Sequence, residues 1–163
     1  MQETSIERLY DVFLECGQKI CTDTRKLAEG SIFFCLKGAN FNANEFADKA
    51  LEGGCAFAVV DEKKYATKDN ILFVKDVLMA LQLLANHHRK QLKLKVLAIT
   101  GSNGKTTNKE LINAVLSKQF KTLATVGNLN NHIGVPLTLL SLTKEHEIAI
   151  VEMGANHQGE INA

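Results

Sequence analysis

The stretch VLAITGSNGKTT at residues 96–107 constrains this chain more than any other. An apolar run, VLAIT, leads straight into a loop with Gly101 and Gly104, and Lys105-Thr106 then opens a helix-forming segment. The glycines let the backbone come close to a ligand, and consecutive amide N–H groups point at one spot. A helix N-terminus there adds about half a positive charge. That combination suits a polyphosphate, with Gly101, Ser102, Asn103, Gly104, Lys105, Thr106 and Thr107 as the candidate cradle. In it Lys105 reaches the β- and γ-phosphates and the Thr106 hydroxyl can hold Mg²⁺. The usual spacing G-x-x-x-x-G-K-[ST] would need glycine at position 99, which is Ile99, so the loop here is the shorter G-x-x-G-K-T-T.

Around this loop strands alternate with helices, which implies a parallel, doubly wound sheet. Residues 96–100, 121–125 and 147–152 read as strands, residues 105–116 as a helix, and Pro136 suits the first turn of another. Glu152 ends an apolar strand, so a parallel sheet carries its carboxylate to the edge where ligands bind. It is the second candidate Mg²⁺ ligand, and one ion shared with Thr106 would bring the two side chains within about 6 Å. The polar loop GNLNNHIGVP (127–136) belongs at the same edge, and Asn130 and Asn131 are candidates for contact with the reacting groups. His132 and His157 have no evident partner in the sequence, and His87 and His88 sit late in a helix and read as surface residues.

The preceding part reads as its own α/β core. A helix at 5–15 is capped by Ser5, strands run at 31–36, 55–60 and 71–74, a helical stretch covers 44–51, and Asp76 caps a helix to about residue 89. Phe33, Phe34, Leu36, Phe57, Val59, Leu72, Leu81 and Leu84 are the expected core. The basic stretch KQLKLK (90–95) is the candidate boundary. Four cysteines without C-x-x-C spacing read as reduced, buried thiols. A net charge of +1, with no basic cluster, points away from nucleic acid and membrane surfaces. No run approaches the ~20 apolar residues of a membrane span, and the start has no secretory pattern, so the expectation is a cytoplasmic protein.

The strings TGSNGKTTNKE (100–110), NNHIGVPLTLL (130–140) and VEMGANHQGEI (151–161), with CTDTR (21–25) and GSIFFCLKG (30–38), resemble the Mur ligase family. The resemblance implies a small N-terminal α/β uridine-binding domain at 1–92. The start of a doubly wound, P-loop-containing ATPase domain follows at 93–163. It carries roles over to Thr24, Arg25, Lys37, Asn42 and Asn44 as substrate-binding residues, with Arg25 and Lys37 exposed on one face to meet a pyrophosphate. Thr24 stands where the family more often has Ser, and NANE (42–45) where it often has Asp-Gly-His-Asp. The implied activity is ATP- and Mg²⁺-dependent ligation in peptidoglycan precursor synthesis, serving cell shape and division. The terminal carboxylate of UDP-N-acetylmuramoyl-tripeptide becomes an acyl phosphate, which the amine of D-Ala-D-Ala attacks; the full-length enzyme is expected to be a monomer. Lys105, Asn130 and Asn131 would serve as catalytic residues, and Thr106 and Glu152 as metal ligands. The family's second metal site and amine-binding domain lie beyond residue 163. The expectation is therefore an inactive N-terminal fragment whose sheet is incomplete, with 147–152 exposed at one edge. A folylpolyglutamate-synthase-like ligase and a non-catalytic nucleotide-binding module are the alternatives.

Overall fold

Helix α1 (Ile6–Glu15) starts where the sequence places its cap: the Ser5 hydroxyl oxygen accepts the Arg8 N–H at 3.3 Å. In this computed structural model, which describes residues 2–154, the chain forms two compact units divided between Leu84 and Ala85. The division falls inside one helix, and residue 92, where the reading above ends the first domain, is that helix's last residue.

The first unit is built on a four-stranded, wholly parallel sheet in the order β1 (Ile20–Cys21), β2 (Ile32–Phe34), β5 (Phe57–Val60), β6 (Ile71–Phe73). A short antiparallel hairpin of β3 (Lys37–Gly38) and β4 (Phe41–Asn42) leads through a 3-10 turn (Ala43–Phe46) into α2 (Ala47–Glu52). Phe33, Ala58 and Ile71 are register partners and pack with Ala43, Ala47 and Ala50 on one face. Period-two alternation turns Phe34, Val59 and Leu72 to the other face, where they are also buried; α3 (Val77–Leu92) follows β6 in the chain. Leu36 and Phe57, expected in the core, are only partly buried, because Leu36 lies past the end of β2 and Phe57 is the first residue of β5. All four cysteines are free and buried, and burial pushes the Cys35 thiol up to about 12. Asp76 accepts the Met79 N–H at 2.7 Å and caps α3 as its position predicts.

The second unit holds a parallel three-stranded sheet ordered β7 (Lys95–Ile99), β9 (Ile148–Glu152), β8 (Thr122–Ala124). Helix α4 (Lys105–Leu116) connects β7 to β8, and α5 (Gly134–Leu140) precedes β9. The sheet corrects one expectation. Residues 148–152 form the central strand, hydrogen-bonded on both sides, and Ala149, Ile150 and Val151 are buried. The edges among the described residues are β7 and β8, and in β7, expected to be a buried strand, Leu97 is 40% exposed. His88, read as a surface residue, is fully buried, and its Nε2 lies 2.8 Å from the Leu142 carbonyl. Among the described residues no helix is long and apolar enough to cross a membrane.

Candidate functional site

The loop between β7 and α4 relies on glycine at two positions: Gly101 has φ +140° and Gly104 φ +75°, a backbone that side chains rarely adopt. Gly104 is the N-cap of α4 and no side chain caps the helix, so its first amide donors face outward. Lys105, the first helical residue, folds back over the loop and donates to the Gly101 carbonyl at 2.6 Å. Ser102, Asn103, Thr106 and Thr107 are exposed around this opening.

Strand register brings the second half of the site alongside. Ile99 pairs with Glu152, so the carboxylate emerges beside the residue from which the loop departs. The Thr106 hydroxyl donates to Glu152 Oε1 at 3.2 Å, inside the separation expected from shared coordination, and Asn130 Nδ2 donates to the same oxygen at 2.8 Å. The Thr125 hydroxyl accepts the Glu152 N–H at 2.9 Å, and the Asn130 carbonyl accepts the Gly154 N–H at 2.7 Å. Glu152 is 1% exposed, and its Oε2 has no hydrogen-bond partner among the described residues.

That orphaned oxygen tests the fit of a divalent cation. Burying a carboxylate oxygen without a donor is costly. A hydroxyl and a carboxylate, hard oxygen donors beside an uncapped helix end, are the set that Mg²⁺ accepts together with substrate phosphates. Among the described residues no three His, Cys, Asp or Glu side chains converge on one point, and Glu152 and Thr106 are the carboxylate and hydroxyl that meet here. The residues fit.

Asn131 does different work from Asn130. Its side-chain oxygen accepts the N–H groups of Ile133 and Gly134 at 3.1 and 2.8 Å, which fixes the start of α5; no contact with Glu152 brings it into the site. His132 is exposed. His157 and the end of the third string, 155–161, lie outside the described residues. One buried charge beside the site escaped the sequence reading altogether. Lys109, one turn beyond Lys105, is fully buried, with its Nζ 2.7 Å from the Thr125 carbonyl and 3.9 Å from Glu152 Oε2. A lysine in a polar helix reads as solvated, and only its i, i+4 relation to Lys105 hinted otherwise.

The first unit carries a separate groove of about 530 Å³ lined by the β3–β4 hairpin, Phe46 and Glu62. The rings of Phe41 and Phe46 stack there with centroids 5.4 Å apart. Lys37 and Arg25 are accessible as expected, at 43% and 85%, but neither is an unpaired cation. Lys37 Nζ sits 2.7 Å from Asp61 and 3.1 Å from Glu62, and Arg25 donates to both carboxylate oxygens of Asp23 at 2.9 and 2.8 Å. The Arg25 guanidinium holds the Asp23 carboxyl well below the usual range, while Lys64, Lys37 and Asn42 lower that of Glu62 to about 2. Asn42 donates to Glu62 at 2.9 Å. Asn44 is fully buried and its amide is used on Asn42 and Asp61, so it holds the hairpin from inside and has no surface to offer a ligand. Thr24 lies half-buried in the turn beside Arg25.

A mixed α/β chain with parallel sheets, a glycine-shaped loop ahead of a helix and a carboxylate on the neighbouring strand end defines a nucleotide-binding architecture, and comparison names it. Residues 99–163 match the Mur ligase middle domain, and most of the chain is similar to Mur ligases. It is 49% identical over 142 residues to the UDP-N-acetylmuramoyl-tripeptide–D-alanyl-D-alanine ligase of Escherichia coli, covering 87% of this chain and 31% of that protein. The Bacillus subtilis enzyme of the same name is 43% identical over 145 residues, covering 88% and 32%. The crystal structure of MurF from Acinetobacter baumannii superposes with a TM-score of 0.81 at 45% identity, covering 88% of this chain and 32% of that one. MurF ligase from Thermotoga maritima in complex with ADP does so with 0.81 at 31% identity, covering 90% and 34%. The chain thus spans about a third of the length of the relatives it matches.

Proposed function

We propose that this chain supplies the uridine-substrate and ATP-binding parts of a peptidoglycan-precursor ligase. That ligase joins D-Ala-D-Ala to UDP-N-acetylmuramoyl-tripeptide through an acyl phosphate, as a cytoplasmic monomer contributing to cell shape and division. The observation that carries the reading is the convergence of Thr106 and Asn130 on one oxygen of buried Glu152, beside the uncapped start of α4. Residues 93–163 hold the nucleotide. The amides of 101–107 receive the phosphates, and Lys105 exchanges its bond to Gly101 for the β- and γ-phosphate oxygens. Thr106 and Glu152 would hold Mg²⁺, which when bound would neutralise charge on the phosphates. Asn130 keeps the Glu152 carboxylate turned toward Thr106. Residues 1–92 hold the uridine diphosphate end, where Arg25 and Lys37 exchange part of their pairing with Asp23, Asp61 and Glu62 for the pyrophosphate; Thr24, next to Arg25, and Asn42, which lines the groove with Lys37, join them as substrate contacts, and Asn44 holds the hairpin from inside.

Calorimetry tests the reading. The chain should bind ADP with Mg²⁺, and Lys105→Ala should weaken that binding about tenfold or more, the loss of one charge-assisted hydrogen bond. With UDP-N-acetylmuramoyl-tripeptide, D-Ala-D-Ala and ATP, residues 1–163 alone should release no phosphate above background, because misplaced reacting groups forfeit orders of magnitude in rate. Absence of nucleotide binding, or equal binding by Lys105→Ala, would refute the site.

A further inference from the structure

Lysine is almost never fully buried without partners, and Lys109 is the one buried residue of α4. Where the helix meets the sheet, the helix therefore contributes an ammonium in place of an apolar side chain. Its Nζ donates to the Thr125 carbonyl at 2.7 Å and the Gly127 carbonyl at 3.4 Å, where β8 ends and the Asn130 loop begins. It also lies 3.0 Å from Glu110 Oε1 and 3.9 Å from Glu152 Oε2, the carboxylate oxygen without a hydrogen bond. Three pieces of the site thus meet at one charge: the helix that starts with Lys105 and Thr106, the turn leading to Asn130, and the end of β9. Apolar packing would join the same elements without a desolvated ion, but it would hold neither the two carbonyls nor the carboxylate in a fixed direction.

The geometry points to Lys109 as a positioning residue that anchors the Thr125–Gly127 turn and the Glu152 carboxylate, so that Asn130, Thr106 and Glu152 meet with the spacing a phosphate-bound cation requires. The part concerning the cation rests on the proposed nucleotide site; the part concerning the turn does not. Lys109→Met, close in length and uncharged, separates the two. In the nucleotide-free chain, amide hydrogen exchange at residues 125–132 should accelerate about tenfold relative to α4 and β7, a local opening and not a global one. The gain in ADP affinity on adding Mg²⁺ should fall about tenfold, the scale of losing a residue that orients a metal ligand, with ADP binding in EDTA changed far less. Lys109→Arg, which keeps the charge and the donors, should restore most of both. If Lys109→Met does not fold, Lys109→Gln, which keeps amide N–H donors but lacks the charge, carries the same comparison. Exchange that rises equally throughout the unit, or stays unchanged at 125–132, overturns the proposal. An unmodified chain that binds no ADP refutes the nucleotide reading, while the exchange data still decide the role of Lys109.

Discussion

Replacing Asn44 with alanine separates a residue that builds the first unit's groove from one that contacts a ligand in it. Asn44 is fully buried; its Nδ2 donates to Asn42 at 2.8 Å and to the Asp61 carboxylate at 2.9 Å, and its Oδ1 accepts the Asp61 N–H at 3.0 Å. Two neutral bonds at about 1 kcal/mol each and one to a carboxylate at about 1.5–3 kcal/mol give a loss of about 3–5 kcal/mol. Asp61 keeps Lys37 at 2.7 Å, which favours the lower end. At an m-value of about 1.5 kcal/mol/M the urea midpoint should fall by about 2–3 M. The chain has no tryptophan, and both tyrosines, Tyr10 and Tyr65, belong to the first unit, so tyrosine emission follows that unit by itself. A midpoint shift below about 0.5 M at unchanged m would refute the argument. Lost binding of UDP-N-acetylmuramoyl-tripeptide without such a shift would return Asn44 to the contact role that the family resemblance implies.

Gly134→Ala places a Cβ 2.5 Å from the Leu129 backbone, so the loop carrying Asn130 must move; far-UV circular dichroism in urea should show a loss of about 1–3 kcal/mol, and an unchanged midpoint would contradict the packing. Burial lowers the His88 pKa below its ordinary 6.5, so the unfolded chain takes up the proton first. Stability should decline as pH falls below about 6.5, less so in His88→Gln, which can still donate to Leu142. In the full-length ligase, Arg25→Ala should raise the KM for UDP-N-acetylmuramoyl-tripeptide about tenfold with kcat little changed, and an unchanged KM would leave Arg25 as the partner of Asp23 alone.

Local signals carried much of the architecture. Ser5 and Asp76 cap their helices because a side-chain oxygen three residues ahead of an amide needs no distant partner. The apolar runs before Gly101 and at 148–152 formed strands, and the loop before α4 took shape from glycines whose backbone freedom is their own property. From parallel pairing and strand polarity alone, Glu152 belonged at the loop's edge.

What depends on distant neighbours was not legible. Strand order is one case: β9, the last of the described strands, lies between β7 and β8, so the run expected at an edge is the most buried strand of its sheet, and β7, an edge, carries exposed Leu97. Charge is another. Arg25 and Lys37 were open cations in one dimension, and in three they already hold carboxylates. Asn130 and Asn131 are adjacent and chemically identical, yet one turns to Glu152 and the other to the start of α5. The sequence by itself determined the longer helices and strands and the glycine-shaped loop ahead of α4, though not β1 or the β3–β4 hairpin, because those it did determine follow from side chains a few residues apart. The tertiary structure alone decided which polar groups are buried together, Lys109 with Glu152 above all, because the cost of burying a charge is met by partners that the chain brings from dozens of residues away.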